Sequence, residues 1–594
     1  MAAMKILRFP AAHRARHCAV GGLNIWLMSL LAALWVGGCT ALSSAPVSAP
    51  PAGGPAVLLD VVTAGDVPPG NVQPGDVVEV RVAAAGGAPA AAYRLAIEGA
   101  DTGWREQKEL PGPELRFSWV AGEPGTYEVV GQVRDPAGAV GESRRQIVVM
   151  PYAAPQKTGS AGIVTTKVAL PTYPLEKYQT PAVDPVYRWP YQVFDRERFL
   201  AEAPQPSVRD YQLLVLENDY LQVSILPELG GRIWQVLHKP SGDTMFYQNN
   251  VVKPSPWGPP KQGGWLGLGG LEWGLPVIEH GYDWGTPWEV TPFTLDDGAA
   301  GVTIATPQDG RLLSAQITVT LPPNVAYLEI EPAIRNLAAH TVFFSYWQTA
   351  MLAPGAGNRP SAELHFVIPG EIMTVHSTGD TALPGARQRF TWPDYFGRDL
   401  SRLGNWDHYL GFFEYPAAHG PFVGVYDPFY DAGAVRVYPA QIARGSKVFG
   451  LGWRRAIGSE TYTDDDSAYV ELHGGLAPSF FVPYSLPAEG MVSWKERWYP
   501  VHGIGDMVYA NRSAALNVTP LAQGLAVALY APTSIQGTLV VDDGAGGVTR
   551  RMAVALGPER SFRAVLKRVG FGPALRIRLE DDAGRELLTY TPAD

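Results

Sequence analysis

The chain has 594 residues, enough for several cores at roughly 150 residues per domain, and carries 47 basic against 57 acidic side chains, a formal net charge of −10. That balance weighs against nucleic acid or anionic lipid as the main partner, because both call for a basic face. Charged residues make up only 18%, while 65 Gly and 53 Pro give the profile of many short strands joined by turns, and the 17 Trp mark either large cores or surfaces that stack flat ligands.

At the N-terminus, Lys5, Arg8, Arg14 and Arg16 precede an apolar run from Leu23 to Val36, which ends in Val36-Gly37-Gly38-Cys39. The run is short for a membrane-spanning helix. Its end resembles the lipobox of bacterial lipoproteins, which implies that 1–39 is a signal peptide and that a lipid-bearing Cys39 is the first residue of the mature chain. The expected location is extracytoplasmic, with the membrane reached through the lipid anchor only. The two cysteines, Cys18 and Cys39, both lie in this leader, so the mature body has no disulfide, thiolate metal site or cysteine nucleophile. The Pro/Ser/Gly-rich stretch over 40–56 reads as a flexible tether.

Beyond the tether, the pattern is β throughout. Over 57–150, runs such as Val77–Val82 and Tyr127–Val133 alternate with turns. The segment from Gly125 to Gly138 resembles the penultimate strand and hairpin of an immunoglobulin-like sandwich. Residues 151–207 are rich in Pro and Tyr without clear periodicity and read as a linker that wraps the next domain. Residues 208–510 form a single large β-region, with alternating strands such as Leu221–Ile225 and Tyr327–Glu331. From 511 to 594 a small sandwich is expected, with strands at Leu525–Tyr530 and Leu575–Leu579 and a hairpin turn at Asp542-Asp543-Gly544.

The large region opens with Leu226-Pro227-Glu228-Leu229-Gly230-Gly231-Arg232-Ile233 between two strands, and the paired glycines allow a tight backbone turn. Four further blocks follow in order: Gly269–Trp273, Arg335–Leu337 running to Phe343–Trp347, Tyr469–Leu476, and Trp494–Val501. Together they resemble the galactose-mutarotase-like β-supersandwich superfamily. Within it they resemble a family, often joined to tetratricopeptide repeats, that has no assigned reaction. No such repeat occurs here. The fold class implied is all-β, a large twisted supersandwich flanked by two small immunoglobulin-like β-sandwiches. The resemblance also implies a ligand on a concave sheet face, but not a reaction, since the superfamily includes epimerases, lyases, hydrolase domains and pure binding domains.

Trp257, Trp265, Trp273, Trp284 and Trp288 fall in one Gly/Pro-rich stretch. Indole rings stack on the C–H face of a sugar, and Glu272, Glu279, His280 and Asp283 are nearby polar groups that would meet its hydroxyls; core plugging is the competing reading. Glu272 and Glu471 are the leading carboxylates, a pair able to divide acid and base roles. The position of Glu471, on a late strand, resembles that of the general base of the aldose epimerases. His280 is the leading histidine, ahead of His376, His408 and His473. The candidate site is therefore Glu272, Glu471 and His280 for catalysis, with Trp265, Trp273, Trp284, Trp288, Asp283, His473 and Glu496 for ligand binding. Aldose epimerases carry a catalytic histidine where this chain reads Phe343-Phe344-Ser345-Tyr346-Trp347-Gln348-Thr349, which argues against simple mutarotation. Asp464-Asp465-Asp466 reads as a solvated turn, with Ca²⁺ as the lesser alternative; no cofactor is expected.

Three functions fit these residues. The first is a surface lipoprotein that binds an oligo- or polysaccharide. The second is a carbohydrate-active enzyme of hydrolase, lyase or epimerase type that uses Glu471 and Glu272. The third is a structural or adhesion protein.

Overall fold

A computed structural model describes residues 55–63, 77–84, 89–97, 100–110, 112–121, 125–149, 159–465, 467–544 and 549–592. The leader, Cys39 and the tether lie outside the described residues. No helix of the described residues is long and apolar enough to cross a membrane.

The first sandwich pairs a three-stranded sheet (Val57–Thr63, Val77–Ala84, Glu114–Val120) with a five-stranded one built around Ala92–Ile97, Gly125–Arg134 and Val140–Val149. Period-two alternation sends Val78, Val80 and Val82 inward against Tyr93, Leu95, Val129 and Ile147. Asp135 closes the expected hairpin, its Oδ1 accepting from the Ala137 and Ala139 amides at 2.9 Å each.

Two large antiparallel sheets form the centre. One has twelve strands; in spatial order its middle runs Ile372–Thr378, Leu410–Glu414, Gly445–Gly450, Val470–Gly475, Trp347–Gly355, with Gly270–Gly274 joining Trp347–Gly355 to Arg232–His238. The other has nine strands, including Leu313–Leu321, Leu328–Asn336, Glu496–His502 and Ala432–Val437. Residues from both fill one continuous apolar core, among them Leu221, Ile233, Leu352 and Leu472 from the first and Ile317, Ile330 and Trp498 from the second. The twelve-stranded sheet is thus apolar on one face against its partner and free to carry a site on the other.

The segment 151–207 is more than a wrapping linker. Its strand Gly162–Thr172 pairs along the whole of Ser207–Glu217 and so becomes the edge of the twelve-stranded sheet. A hairpin (Gln179–Asp184, Trp189–Phe194) and the seven-residue helix Arg196–Glu202 follow. The Asp195 side chain caps that helix, accepting from the Arg198 amide at 3.0 Å.

The last sandwich has two four-stranded sheets around Leu516, Leu529, Leu539, Val541, Ile577 and Leu579. A separate apolar cluster binds it to the outer face of the nine-stranded sheet, with Tyr426, Val435, Tyr499 and Val501 meeting Met507, Ala515, Ala528 and Tyr530.

Candidate functional site

The site begins at the paired glycines. Gly230 and Gly231 adopt φ of +82° and +61°, and a Cβ on Gly231 would come within 2.4 Å of the Ile304 side chain. The turn delivers Arg232 into the interior, fully buried. Its guanidinium donates to the carbonyls of Leu229 and Gly269 at 3.0 Å and of Trp284 at 3.1 Å, and to the Glu272 carboxylate at 3.1 Å. Glu272 also accepts from Trp265 Nε1 at 3.2 Å and from His280 Nδ1 at 2.5 Å. The His280 ring lies on the Trp265 indole, centroids 3.8 Å apart and planes 21° apart. The loop that carries His280 folds back on Gly274, where a Cβ would stand 2.3 Å from the Glu279 carbonyl.

Strand register supplies the rest. Glu272 lies opposite Thr349, Thr349 opposite His473, and His473 opposite Lys447, so one row of side chains crosses four adjacent strands on one face. The two-residue period puts Glu471 beside His473 and Phe449 beside Lys447 on the same face. His473 Nδ1 meets the Thr349 hydroxyl at 2.9 Å, while its Nε2 lies 2.7 Å from Glu471 and 3.1 Å from Lys447 Nζ. As N–H, Nε2 donates to Glu471; as a bare nitrogen, it accepts from Lys447. One ring nitrogen therefore couples an acid and an amine.

These groups surround a cavity of about 290 Å³. Glu279, His280, His376, Lys447 and Glu471 line it together with the rings of Trp257, Trp265, Tyr409, Phe449 and Tyr469. Glu279 and His376 form a further pair at 3.1 Å, and the His280 and His473 rings are 6.4 Å apart.

Burial sets the protonation. It pushes the Glu471 carboxyl up, against Lys447 and His280. It pulls Lys447 down, against Glu471 and Glu279, and holds His473 well below the ordinary range, with the Lys447 cation adding to the effect. Burial works the same way on His280, but the charge and hydrogen bond of Glu272 overcome it and His280 ends above its usual value. At Glu279 the His376 hydrogen bond and the Lys447 charge outweigh burial and lower the acid, while burial leaves His376 lowered too. A neutral His376 whose Nε2–H donates to an ionised Glu279 satisfies both directions. The cavity thus brings together a histidine of raised pKa, His280, and a carboxyl of raised pKa, Glu471. Such pairs, driven apart by their surroundings, are the mark of acid/base sites.

The residues singled out in the sequence separate into two groups. Glu471, His280 and Trp265 line the cavity; Glu272 and His473 stand directly behind it as partners of the lining groups. Trp257, Glu279 and His376, also picked out in the sequence, line it too, whereas Trp273, Trp284, Trp288, Asp283 and Glu496 do not. Trp273 donates to the Gly231 carbonyl at 3.2 Å within the main core, Trp284 donates to Gln262 at 2.8 Å, and Trp288 packs in the core, so these three indoles are plugs. Asp283 is taken by Arg311 at 2.8 Å and by Trp189 at 3.0 Å. Glu496 is on the nine-stranded sheet, where it holds the buried Arg436 at 2.5 and 2.7 Å. In the acidic triplet, Asp464 pairs with Lys253 at 2.6 Å and Asp465 accepts from Asn250, Thr463 and Ser467; Asp466 lies outside the described residues. Protein donors thus occupy the oxygens a cation would need, and no metal-holding group of His, Cys, Asp and Glu occurs among the described residues. Lys447, Thr349, Tyr409, Phe449 and Tyr469 are the residues that sequence reasoning missed. A lysine directly before the β-favouring pair Val448-Phe449 was the available signal.

The family model described as "Domain of unknown function (DUF5107)" matches residues 181–492, just over half of the chain. Among solved structures, a TPR-domain-containing protein from Parabacteroides distasonis is similar at 20% identity and a TM-score of 0.50, over 62% of this chain and 59% of that one. This chain therefore spans only 59% of that protein's length, and the likeness concerns fold alone. A galactose mutarotase-like protein from Clostridium acetobutylicum aligns at 10% identity and a TM-score of 0.33, over 49% of this chain and 96% of that one. A galactose mutarotase related enzyme from Lactobacillus acidophilus aligns at 12% identity and a TM-score of 0.33, over 49% and 97%.

Proposed function

The chain belongs to the DUF5107 family, and from that premise we propose that its central domain is an acid/base catalyst acting on carbohydrate outside the cytoplasm. The observation that carries this reading is the cavity itself. Aromatic side chains wall a space in which His280 and Glu471 converge, His280 raised by Glu272 against burial and Glu471 raised by burial against Lys447 and His280. A binding module needs the rings and some hydroxyl partners; it has no use for a carboxyl coupled through His473 to a buried amine. His280, as imidazolium, donates a proton to a sugar oxygen, and Glu471 takes one from a hydroxyl or water. The Thr349–His473–Lys447 row supplies and accepts the protons that Glu471 exchanges. A volume of about 290 Å³ is near the lower end of ligand pockets, which fits a single sugar unit at the reacting centre. The lipobox-like leader motivates the extracytoplasmic placement and anchorage at Cys39.

The test uses the mature chain with cello-, malto-, manno- and xylo-oligosaccharides, followed by calorimetry and NMR of products. Turnover of at least one series is expected. Glu471→Gln should retain binding and fold while turnover falls about 10²–10⁴-fold, the usual worth of a general acid or base. Binding without turnover on every series would reduce the domain to a sugar-binding module, and no binding at all would remove the carbohydrate reading.

A further inference from the structure

A second cavity, about 410 Å³, adjoins the acid/base cavity, and the two share Ile457 and Tyr469 as a common wall. Arg359, Trp453, Glu460 and Tyr462 are among its lining groups. Trp453 is 44% exposed and is the one exposed tryptophan among the described residues. An indole left in water at the mouth of a cavity is a surface awaiting a flat apolar partner.

The loop that presents it is built, not slack. Gly452 adopts φ of +95°, and a Cβ there would stand 2.6 Å from the His408 carbonyl carbon, so only glycine makes this approach. The Trp453 amide then donates to the Trp406 carbonyl at 3.0 Å, and the Arg455 amide to the Asp407 carbonyl at 2.7 Å. The Ile457 amide returns to the Leu451 carbonyl at 3.0 Å, which folds the loop back and sets Ile457 between the two cavities. The backbone that carries Trp453 is thereby tied down beside the wall the two cavities share.

We propose that this second cavity is a sugar subsite and that the substrate is an oligosaccharide of two or more units, with one unit at Glu471 and His280 and the next passing Tyr469 and Ile457 to stack on Trp453. The proposal rests on the carbohydrate reading above and deepens it. A free monosaccharide would leave the second cavity and its indole without a role. With a chain bound across the wall, the reacting centre sits at or beside a glycosidic linkage.

Affinity of the intact mature protein is measured by calorimetry against one-, two-, four- and six-unit members of the cello-, malto-, manno- and xylo- series, for the native chain, Trp453→Ala and Trp453→Phe. Affinity in the series that binds should rise from one unit to several. Trp453→Ala should weaken the longer members on the order of tenfold, as loss of one stacking contact does, and leave the monosaccharide unchanged; Trp453→Phe should restore most of the loss. The ring is exposed, so its removal leaves the fold intact. Affinity independent of length, or equal effects of Trp453→Ala on monomer and oligomer, overturns the subsite while leaving the carbohydrate reading in place. No binding in any series overturns both.

Discussion

Glu272 does not line the cavity, yet its charge and hydrogen bond are the main influences that raise the His280 pKa against burial. Buried between Trp265 and the interior, His280 would by itself lose its proton readily; the 2.5 Å contact with Glu272 reverses that. Glu272 is therefore a positioning residue whose effect is visible in pH dependence. Under the proposed mechanism the acid must be protonated, so activity is expected to fall as pH rises through the raised pKa of His280, and the base must be ionised, so activity is expected to fall as pH drops through the raised pKa of Glu471. In Glu272→Gln burial dominates and the His280 pKa falls below its ordinary value of about 6.5. The alkaline limb of the rate profile should move to lower pH, with activity at pH 7 reduced far more than at pH 5.5. A simple loss of stability would depress both limbs together and leave the midpoints in place. His280 also contributes stability that is fully present below pH 6.5 and fades as pH rises through its folded pKa, and the variant should lose that dependence.

At the scale of the strand, the chemistry depends on what the alternate face tolerates. In Val470–Gly475, Glu471 and His473 point at the cavity, while Gly474 points toward the other sheet. A Cβ on Gly474 would lie 2.2 Å from the Arg436 guanidinium. That guanidinium is fully buried and held through its Nε/Nη2 edge by a fork of two bonds to Glu496, so admitting a methyl group means breaking that pair or moving the strand. Gly474→Ala should cost about 1–3 kcal/mol in urea unfolding, the range for overpacking a filled interior. Gly112→Ala, where nothing lies within 4 Å, serves as the control and should change little. Equal stabilities would mean that the sheets can separate to admit a methyl group. The same strand shows how far sequence reading reaches. Its alternation, the Gly230-Gly231 turn and the hairpin after Arg134 are local, and all are where the pattern puts them. The row Glu272–Thr349–His473–Lys447 is set by register between strands as far as 124 residues apart in sequence, as Thr349 and His473 are, and no local signal encodes it. The tryptophans misled for a related reason. A Gly/Pro-rich stretch looks like a surface loop, yet Trp273 and Trp288 are buried in the main core between the two large sheets, and Trp284 in a second cluster with Leu170, Phe194 and Phe199.

At the scale of the whole molecule, the last sandwich meets the twelve-stranded sheet at a buried histidine of lowered pKa, His238. His238, on the twelve-stranded sheet, is buried, with Nδ1 2.8 Å from Ser241 Oγ and Nε2 3.4 Å from Tyr530 Oη of the last sandwich. His502 stands beside it, paired through Nδ1 with Asp243 at 2.7 Å. Burial, reinforced by the His502 charge and opposed by Asp243, brings the His238 pKa to about 3. The unfolded chain, with an ordinary value of about 6.5, therefore binds a proton that the folded chain refuses. Stability from this group is complete above pH 6.5 and declines as pH falls toward 3, by up to about 1.4 kcal/mol per unit. Because Tyr530, Ala528 and Met507 share one apolar cluster with Tyr426 and Tyr499, protonation of His238 beside Tyr530 is expected to loosen the last sandwich from the nine-stranded sheet. Urea titrations at pH 7.5 and pH 5 should show the native chain losing about 2 kcal/mol more than His238→Asn between the two, and at pH 5 the first hydrogen-exchange losses should fall in 511–592. Identical pH slopes for the two proteins would show that the junction does not titrate, and first losses in the strands around Glu471 would place the acid-sensitive element at the active cavity instead.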